Sequence, residues 1–315
     1  MLVGGALLLL LAAPLYLGSY WTSTLILVFF YAYTGQCWNI LGGYAGQVSL
    51  GHAAFLGIGA YTSTALFMFA GLTPWLGMLA GGVLAALLGL CIGFVSFRFH
   101  IRGAYFILIT LAFAEIFHLL ALHLESLGGA QGLFVPFTGA SWAKMQFKGN
   151  TNYYYVALAL LVVITLVARA LERSKLGLYL VAIREDEDAS RALGVNTMRC
   201  KLAATAISAF FTALAGAFYS NYFFYIHPDE VLDVELSVDI LLRPIVGGAG
   251  TLFGPIVGSF ILTPLAELSR AYFSKEGLIG THLIIYGLLL IAVVLFFPRG
   301  VAPYLARLVA GKRTS

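Results

Sequence analysis

The sequence predicts an all-α polytopic membrane protein, a helical bundle of about ten transmembrane spans with glycine-rich broken helices. Three observations carry that prediction. Apolar residues make up 61% of the chain and charged residues only 10%, whereas soluble domains carry about 25% charge. Mean hydropathy is +0.93, too apolar for 315 residues arranged round one water-soluble core. Apolar runs also recur at close to the roughly 20 residues that a helix needs to cross a bilayer. Residues 1–315 are expected to form a single transmembrane domain, with a cytoplasmic loop at 172–201 inside it.

The runs are 2–17, 21–41, 50–70, 74–97, 103–124, 153–171, 202–224, 236–246, 254–272 and 278–297. The first can also be read as a signal peptide, but it lacks a basic leading region and a small-x-small cleavage site. The third begins inside a stretch running from Asn39 to Tyr61, where Gly42, Gly43, Gly46, Gly51, Gly57 and Gly59 alternate with polar residues. Backbone that leaves the helix at membrane depth is tolerated only where protein or a water-filled cavity satisfies it. This segment is therefore expected to be broken or re-entrant, with Asn39, Gln47, Ser49 and His52 on an internal path.

In the fourth run Gly77, Gly81, Ala85, Gly89 and Gly93 recur every four residues. Such a seam lets another backbone approach closely where no hydrophobic effect drives association. The fifth run carries one deep carboxylate, Glu115, expected to face the bundle interior because an ionised group in lipid costs at least ~2.5 kcal/mol. Thr110, Ala114 and His118 form a stripe beside it. A Glu-x-x-His pair is half of a di-iron site, but no second pair exists, so no metal is expected. Two readings stay open for Glu115 and His118: a structural hydrogen bond, or groups on a substrate path.

The eighth run is short and charged, and Glu235, Asp239 and Arg243 share one helical face on which Asp239 can neutralise Arg243. A second glycine-rich break follows, with Gly250, Gly254 and Gly258 four residues apart. Two breaks round a midplane site are the pattern of a transporter. Cys37, Cys91 and Cys200 are too scattered for a disulfide framework and are expected to pack as small apolar groups.

Lys and Arg near span ends stay on the cytoplasmic side. The loop 172–201 carries six basic residues and 225–235 none, so the first is placed inside and the second outside. Threading ten spans through these anchors puts thirteen basic residues inside and four outside, with Arg243 left in the membrane and both termini cytoplasmic. The core of the inner loop, Arg184-Glu-Asp-Glu-Asp-Ala-Ser-Arg-Ala-Leu-Gly194, reads as one helix. It offers i, i+4 pairs of Arg184 with Asp188 and Glu187 with Arg191, an apolar face of Ala189, Ala192 and Leu193, and a terminating Gly194. A solvated connector and a docking helix both fit that pattern.

Four separated motifs carry a resemblance to the branched-chain amino acid ABC importer permeases of the LivM type. They are Gly43-Tyr-Ala-Gly-Gln-Val-Ser-Leu-Gly-His52, Arg102-Gly-Ala-Tyr105 with Thr110 and Glu115, Ala182-Ile-Arg-Glu-Asp186 through Gly194, and Gly247-Gly-Ala-Gly-Thr-Leu-Phe-Gly-Pro255. The resemblance covers about 39–298, and it departs from the family at Arg243-Pro244, which are usually apolar there. It implies that Arg184, Glu185, Glu187, Asp188, Ala189 and Gly194 belong to a coupling loop seated in a groove of an ATPase subunit. It further implies a related second permease, two ATP-binding cassette subunits and a soluble substrate-binding protein, all at a bacterial inner membrane.

No GxxxxGK[ST] motif is present, so no cofactor is expected on this chain and ATP would be hydrolysed by partner subunits. The lipid bilayer is an expected partner and nucleic acid is not. The family implies branched-chain or other hydrophobic amino acids as cargo, with urea, short amides and aromatic acids as alternatives. The rival class is a proton- or sodium-coupled secondary transporter with Glu115 as its coupling group. A membrane-embedded enzyme is a distant third, because no cluster of nucleophile, base and orienting group can be assembled.

Overall fold

The computed structural model describes residues 2–273 and, beyond them, 287, 291, 295 and 300–304. The regular elements of the described chain are helices, apart from one small two-stranded ribbon and an isolated bridge between Ser141 and Gln146. Helix α1 (Leu2–Tyr16) leads into α2 (Ser19–Asn39), which is continued by a π-helical turn at Ile40–Tyr44. Residues 45–51 have no helical structure, and α3 (His52–Ala70) starts anew. The expected break is therefore real, and it separates two helices without shortening the second below a span.

Helix α4 (Pro74–Arg98) starts with proline in its first turn, where the missing N–H costs nothing, and α5 (Ala104–His123) follows. After a loop bearing β1 (Leu133–Phe134) come α6 (Asn150–Glu172), α7 (Lys175–Glu185), α8 (Glu187–Ala192) and α9 (Thr197–Phe223). Strand β2 (Tyr225–Ile226) pairs antiparallel with β1, placing Leu133 opposite Ile226. Helices α10 (Pro228–Val231), α11 (Val234–Gly247) and α12 (Gly254–Phe273) complete the described elements.

Helix α9 forms the core with α3 and α4, while α2 is packed by α6, α11 and α12. The glycine seam makes the first of these contacts possible. A Cβ at Gly77 would stand 2.8 Å from Ser63 Cα and one at Gly81 3.0 Å from Gly59 Cα, both on α3. Further along, Gly89 and Gly93 face Ala209 and Leu202 of α9. The partners of the seam thus lie in the same chain. The other side of α4 presents Leu76, Leu79, Val83 and Leu87, all exposed as a lipid-facing surface requires. Cys37 and Cys200 are buried and Cys91 is exposed, all as free thiols.

The expected count of ten spans is not confirmed. Among the described residues six helices, beginning with α2 and followed by α3, α4, α5, α6 and α9, are long and apolar enough to cross a membrane. Helices α1 and α11 have 15 and 14 residues. At 1.5 Å per residue they reach only about 22 Å, against a hydrocarbon core of about 30 Å. The apolar part of α12 is Gly254–Ser269, and the tenth run, 278–297, lies almost wholly outside the described residues. Helices α11 and α12 pack against α2, which can bury a short apolar helix as well as lipid does, whereas α1 stays largely exposed beside α6.

Candidate functional site

The two glycine-rich breaks meet. Asn39, fully buried at the end of α2, accepts a hydrogen bond from the Gly250 amide (2.8 Å) and donates to the Thr251 carbonyl (3.0 Å). One turn earlier, Gln36 donates through Nε2 to the Leu252 carbonyl. Trp38 donates from its indole nitrogen to the Ser49 carbonyl (2.9 Å). Side chains of α2 therefore satisfy backbone that the breaks release from helical bonding, as a non-aqueous interior demands. Glycine is needed for the close approach: a Cβ at Gly43 would lie 2.6 Å from the Gly250 nitrogen. Gly254 and Gly258 serve the next contact, where a Cβ on Gly258 would stand 1.9 Å from the Arg243 carbonyl oxygen and prevent α12 from folding back on α11.

The first break is also tied to α5 and α9. Thr110 accepts from the Leu50 amide (3.1 Å). His52 Nε2 lies 2.9 Å from Ser208 Oγ, and that hydroxyl donates to the Cys37 carbonyl (2.7 Å). Because the single serine proton is spent on Cys37, His52 must donate through Nε2–H, which leaves Nδ1 as the unpaired ring nitrogen. Ser49 and His52 are completely buried, whereas Gln47 is half-buried with its amide on the Ala45 carbonyl. The break is thus buried at Ser49 and His52 and solvent-accessible at Gly46 and Val48.

Glu115 differs from expectation. Its side chain is 47% exposed and does not face the bundle interior. Helix α5 contributes only the stripe Phe106, Thr110, Ala114 and Ala121 to the interior, and Glu115 sits 100° round from Ala114. His118, on the buried stripe, bonds Asp229 at the start of α10 (2.8 Å) and lies 3.6 Å from Glu115. That interhelical bond belongs to the end of the bundle opposite the 172–201 loop, since the 27 residues of α9 separate the two.

At that loop, the expected single helix is two helices. Asp186 is extended (φ −155°, ψ 108°) and caps α8 by accepting from the amides of Asp188 and Ala189. The break turns Arg184 away from Asp188, so the expected pair between them does not form. Glu187 and Arg191 do pair, at 3.1 Å. Glu187 is a hub: Lys201 of α9 reaches it at 2.5 Å and Arg102, just before α5, at 3.2 Å. Arg102 also grips Asp188 with two nitrogens, at 3.0 and 3.1 Å. Burial pushes the Glu187 carboxyl up, but the Lys201 hydrogen bond and the charges of Lys201 and Arg102 outweigh it and hold the group below its ordinary range. The hydrogen bond from Arg102 holds Asp188 low likewise.

Gly194 ends α8 as expected. With φ +86° it donates to Arg191 while Val195 donates to Ser190, the paired bonds of a Schellman motif. Ala189, Ala192 and Leu193 are exposed, Leu193 to 87%. Sequence reasoning missed Lys201, Ser208 and Trp38. A lysine at the start of an apolar span was the available signal for the first, and nothing local marks the other two.

A bundle of membrane-spanning helices, opened by paired glycine breaks and tied to a charged loop at one end, defines a polytopic membrane permease. The chain belongs to the family described as branched-chain amino acid transport system / permease component, which it matches over residues 20–294. It is 30% identical to the high-affinity branched-chain amino acid transport system permease protein LivM of Escherichia coli K12, over 88% of this chain and 68% of that protein. The LivM protein of Salmonella typhimurium is likewise 30% identical, over 87% and 68%. LivH of Salmonella typhimurium, named as a permease protein of such a system, is 24% identical over 86% of this chain and 90% of its own length. No solved structure matches significantly.

Proposed function

We propose that this chain forms half of the translocation path of an ATP-driven importer for branched-chain or other hydrophobic amino acids. A related second permease forms the other half, two ATP-binding cassette subunits hydrolyse ATP at the 172–201 loop, and a soluble binding protein delivers cargo at the opposite end. The observation that carries this reading is the loop's double attachment. Its helix α8 is bound through Glu187 and Asp188 to Arg102, two residues before α5, and to Lys201 of α9, and its helix α7 reaches the first break through Arg184, which donates to the Gly43 carbonyl at 2.9 Å. Movement of the loop is thereby carried to the breaks. Asn39, Gln47, Ser49, His52, Thr110, Glu115 and His118 line the path in its open state, and both termini lie on the cytoplasmic side of the inner membrane.

The test is uptake of leucine by the full complex in proteoliposomes. Uptake that needs internal ATP and survives a protonophore is expected. Uptake abolished by the protonophore but indifferent to ATP would overturn the reading, and Glu115 would then be the leading group for ion coupling.

A further inference from the structure

Arg184 occupies the point where both breaks and the loop converge. Its Nη1 donates to the Gly43 carbonyl inside the π-helical turn, and a Cβ on Gly250 of the other break would lie 2.4 Å from that same nitrogen. Its aliphatic stem lies along Gly46, where a Cβ would approach Cγ to 2.7 Å. Gly46 and Gly250 both have positive φ, +66° and +76°, so a side chain at either would be strained as well as crowding the arginine. Glu185 holds the other edge of the guanidinium by two nitrogens, at 2.7 and 3.1 Å. One side chain of the loop is thus wedged over a seam that Asn39 closes from within.

We propose that Arg184 is the latch of the inner mouth: bonded to Gly43 and packed on Gly46 and Gly250, it keeps the two breaks together, and withdrawal of α7 releases them. This rests on the importer reading and names the residue that converts loop movement into opening. The planar fork suits the task because it can hold a carbonyl and a carboxylate at once, on fixed geometry. Arg184 is a positioning residue that contacts no cargo.

The test uses the full complex in lipid nanodiscs, with Cys37, Cys91 and Cys200 replaced and spin labels at Val48→Cys and Phe253→Cys. Both positions are exposed, one on each break. Without nucleotide, the unaltered latch should give one narrow distance. Arg184→Gln and Gly250→Ala should both add a longer component, with the open-to-closed ratio raised about tenfold or more, as loss of one hydrogen bond to a charged group implies. Gly250→Ala keeps the arginine but takes its space, and Arg184→Lys should restore part of the narrow distance. ATP consumed per leucine imported should rise in step. Either disruptive variant showing the unaltered distance and stoichiometry would overturn the latch. If leucine uptake proves independent of ATP, the importer reading fails whatever the distances show.

Discussion

Replacing Glu187 with alanine removes the one anion shared by three cations. Lys201 suffers most, because its side chain is 3% exposed and its remaining attraction is the Phe97 ring, 5.3 Å away. Breaking a buried pair from one side costs about 3–5 kcal/mol. Glu187 retains 14% exposure, so the lower end, about 3 kcal/mol, applies. Arg102 and Arg191, at 42% and 44% exposure, rehydrate and add less than about 1 kcal/mol each. The penalty is that of a stranded ammonium, so it should largely vanish when the ammonium is removed too. Glu187→Ala combined with Lys201→Met is expected to recover about 2 kcal/mol in a double-mutant cycle, measured by urea unfolding in detergent micelles. A coupling energy below about 0.5 kcal/mol would refute the hub.

Gly194→Val meets no steric obstacle, since nothing lies within 4 Å of the added Cβ, but it forces a branched residue to φ +86°. It should cost about 1 kcal/mol or more and depress transport-linked ATP hydrolysis without preventing insertion, as read by ATPase assay and membrane yield. The lowered Glu187 carboxyl contributes stability above the ordinary carboxylate range and loses it only as the pH falls through its depressed value. Amide exchange in 187–194, corrected for intrinsic rates, should therefore stay flat from about pH 8 to 5 and rise below about pH 4. Glu115→Cys, 47% exposed at the native side chain, should be labelled by a water-soluble maleimide in the assembled complex at a rate that leucine and ATP change; no labelling in any state would remove Glu115 from the path. Glu115→Gln should impair uptake less than Glu115→Ala, because the amide still hydrogen-bonds, and equal loss in two stable proteins would assign a role to the charge.

Both breaks were legible because glycines and amides in an apolar run conflict with a uniform span, and the seam was legible because its four-residue spacing survives in the letters alone. Gly194 was legible by its place at the end of a charged helix. Three-dimensional partnership was not. Nothing in the sequence pairs Asn39 with Gly250 or Arg184 with Gly43, since these contacts span 211 and 141 positions. Charge spacing and the alanines join 184–193 into one helix in the sequence, whereas Asp186 takes an extended conformation and caps its successor, the alternative that Asp side chains offer the backbone. For Glu115, cost in lipid predicted an inward-facing group, and helical spacing alone could not show that it lies 100° round from the buried stripe and is 47% exposed.

A helix of six residues is far too short to persist unaided in water. Helix α8 nevertheless has its cap at Asp186, its terminator at Gly194 and three basic side chains bracing it from outside its own turn or within it. It is already folded in the free chain, before any partner of the proposed importer binds. A binding surface that is preorganised spares the ordering entropy, about 1–2 kcal/mol for each backbone residue fixed, that a disordered loop would owe at each encounter. What the partner gains is then set by a small contact, with Leu193 at its tip offering about 1.5–3 kcal/mol if fully covered. In the proposed importer, an ATPase subunit would therefore grip a surface that does not first have to fold.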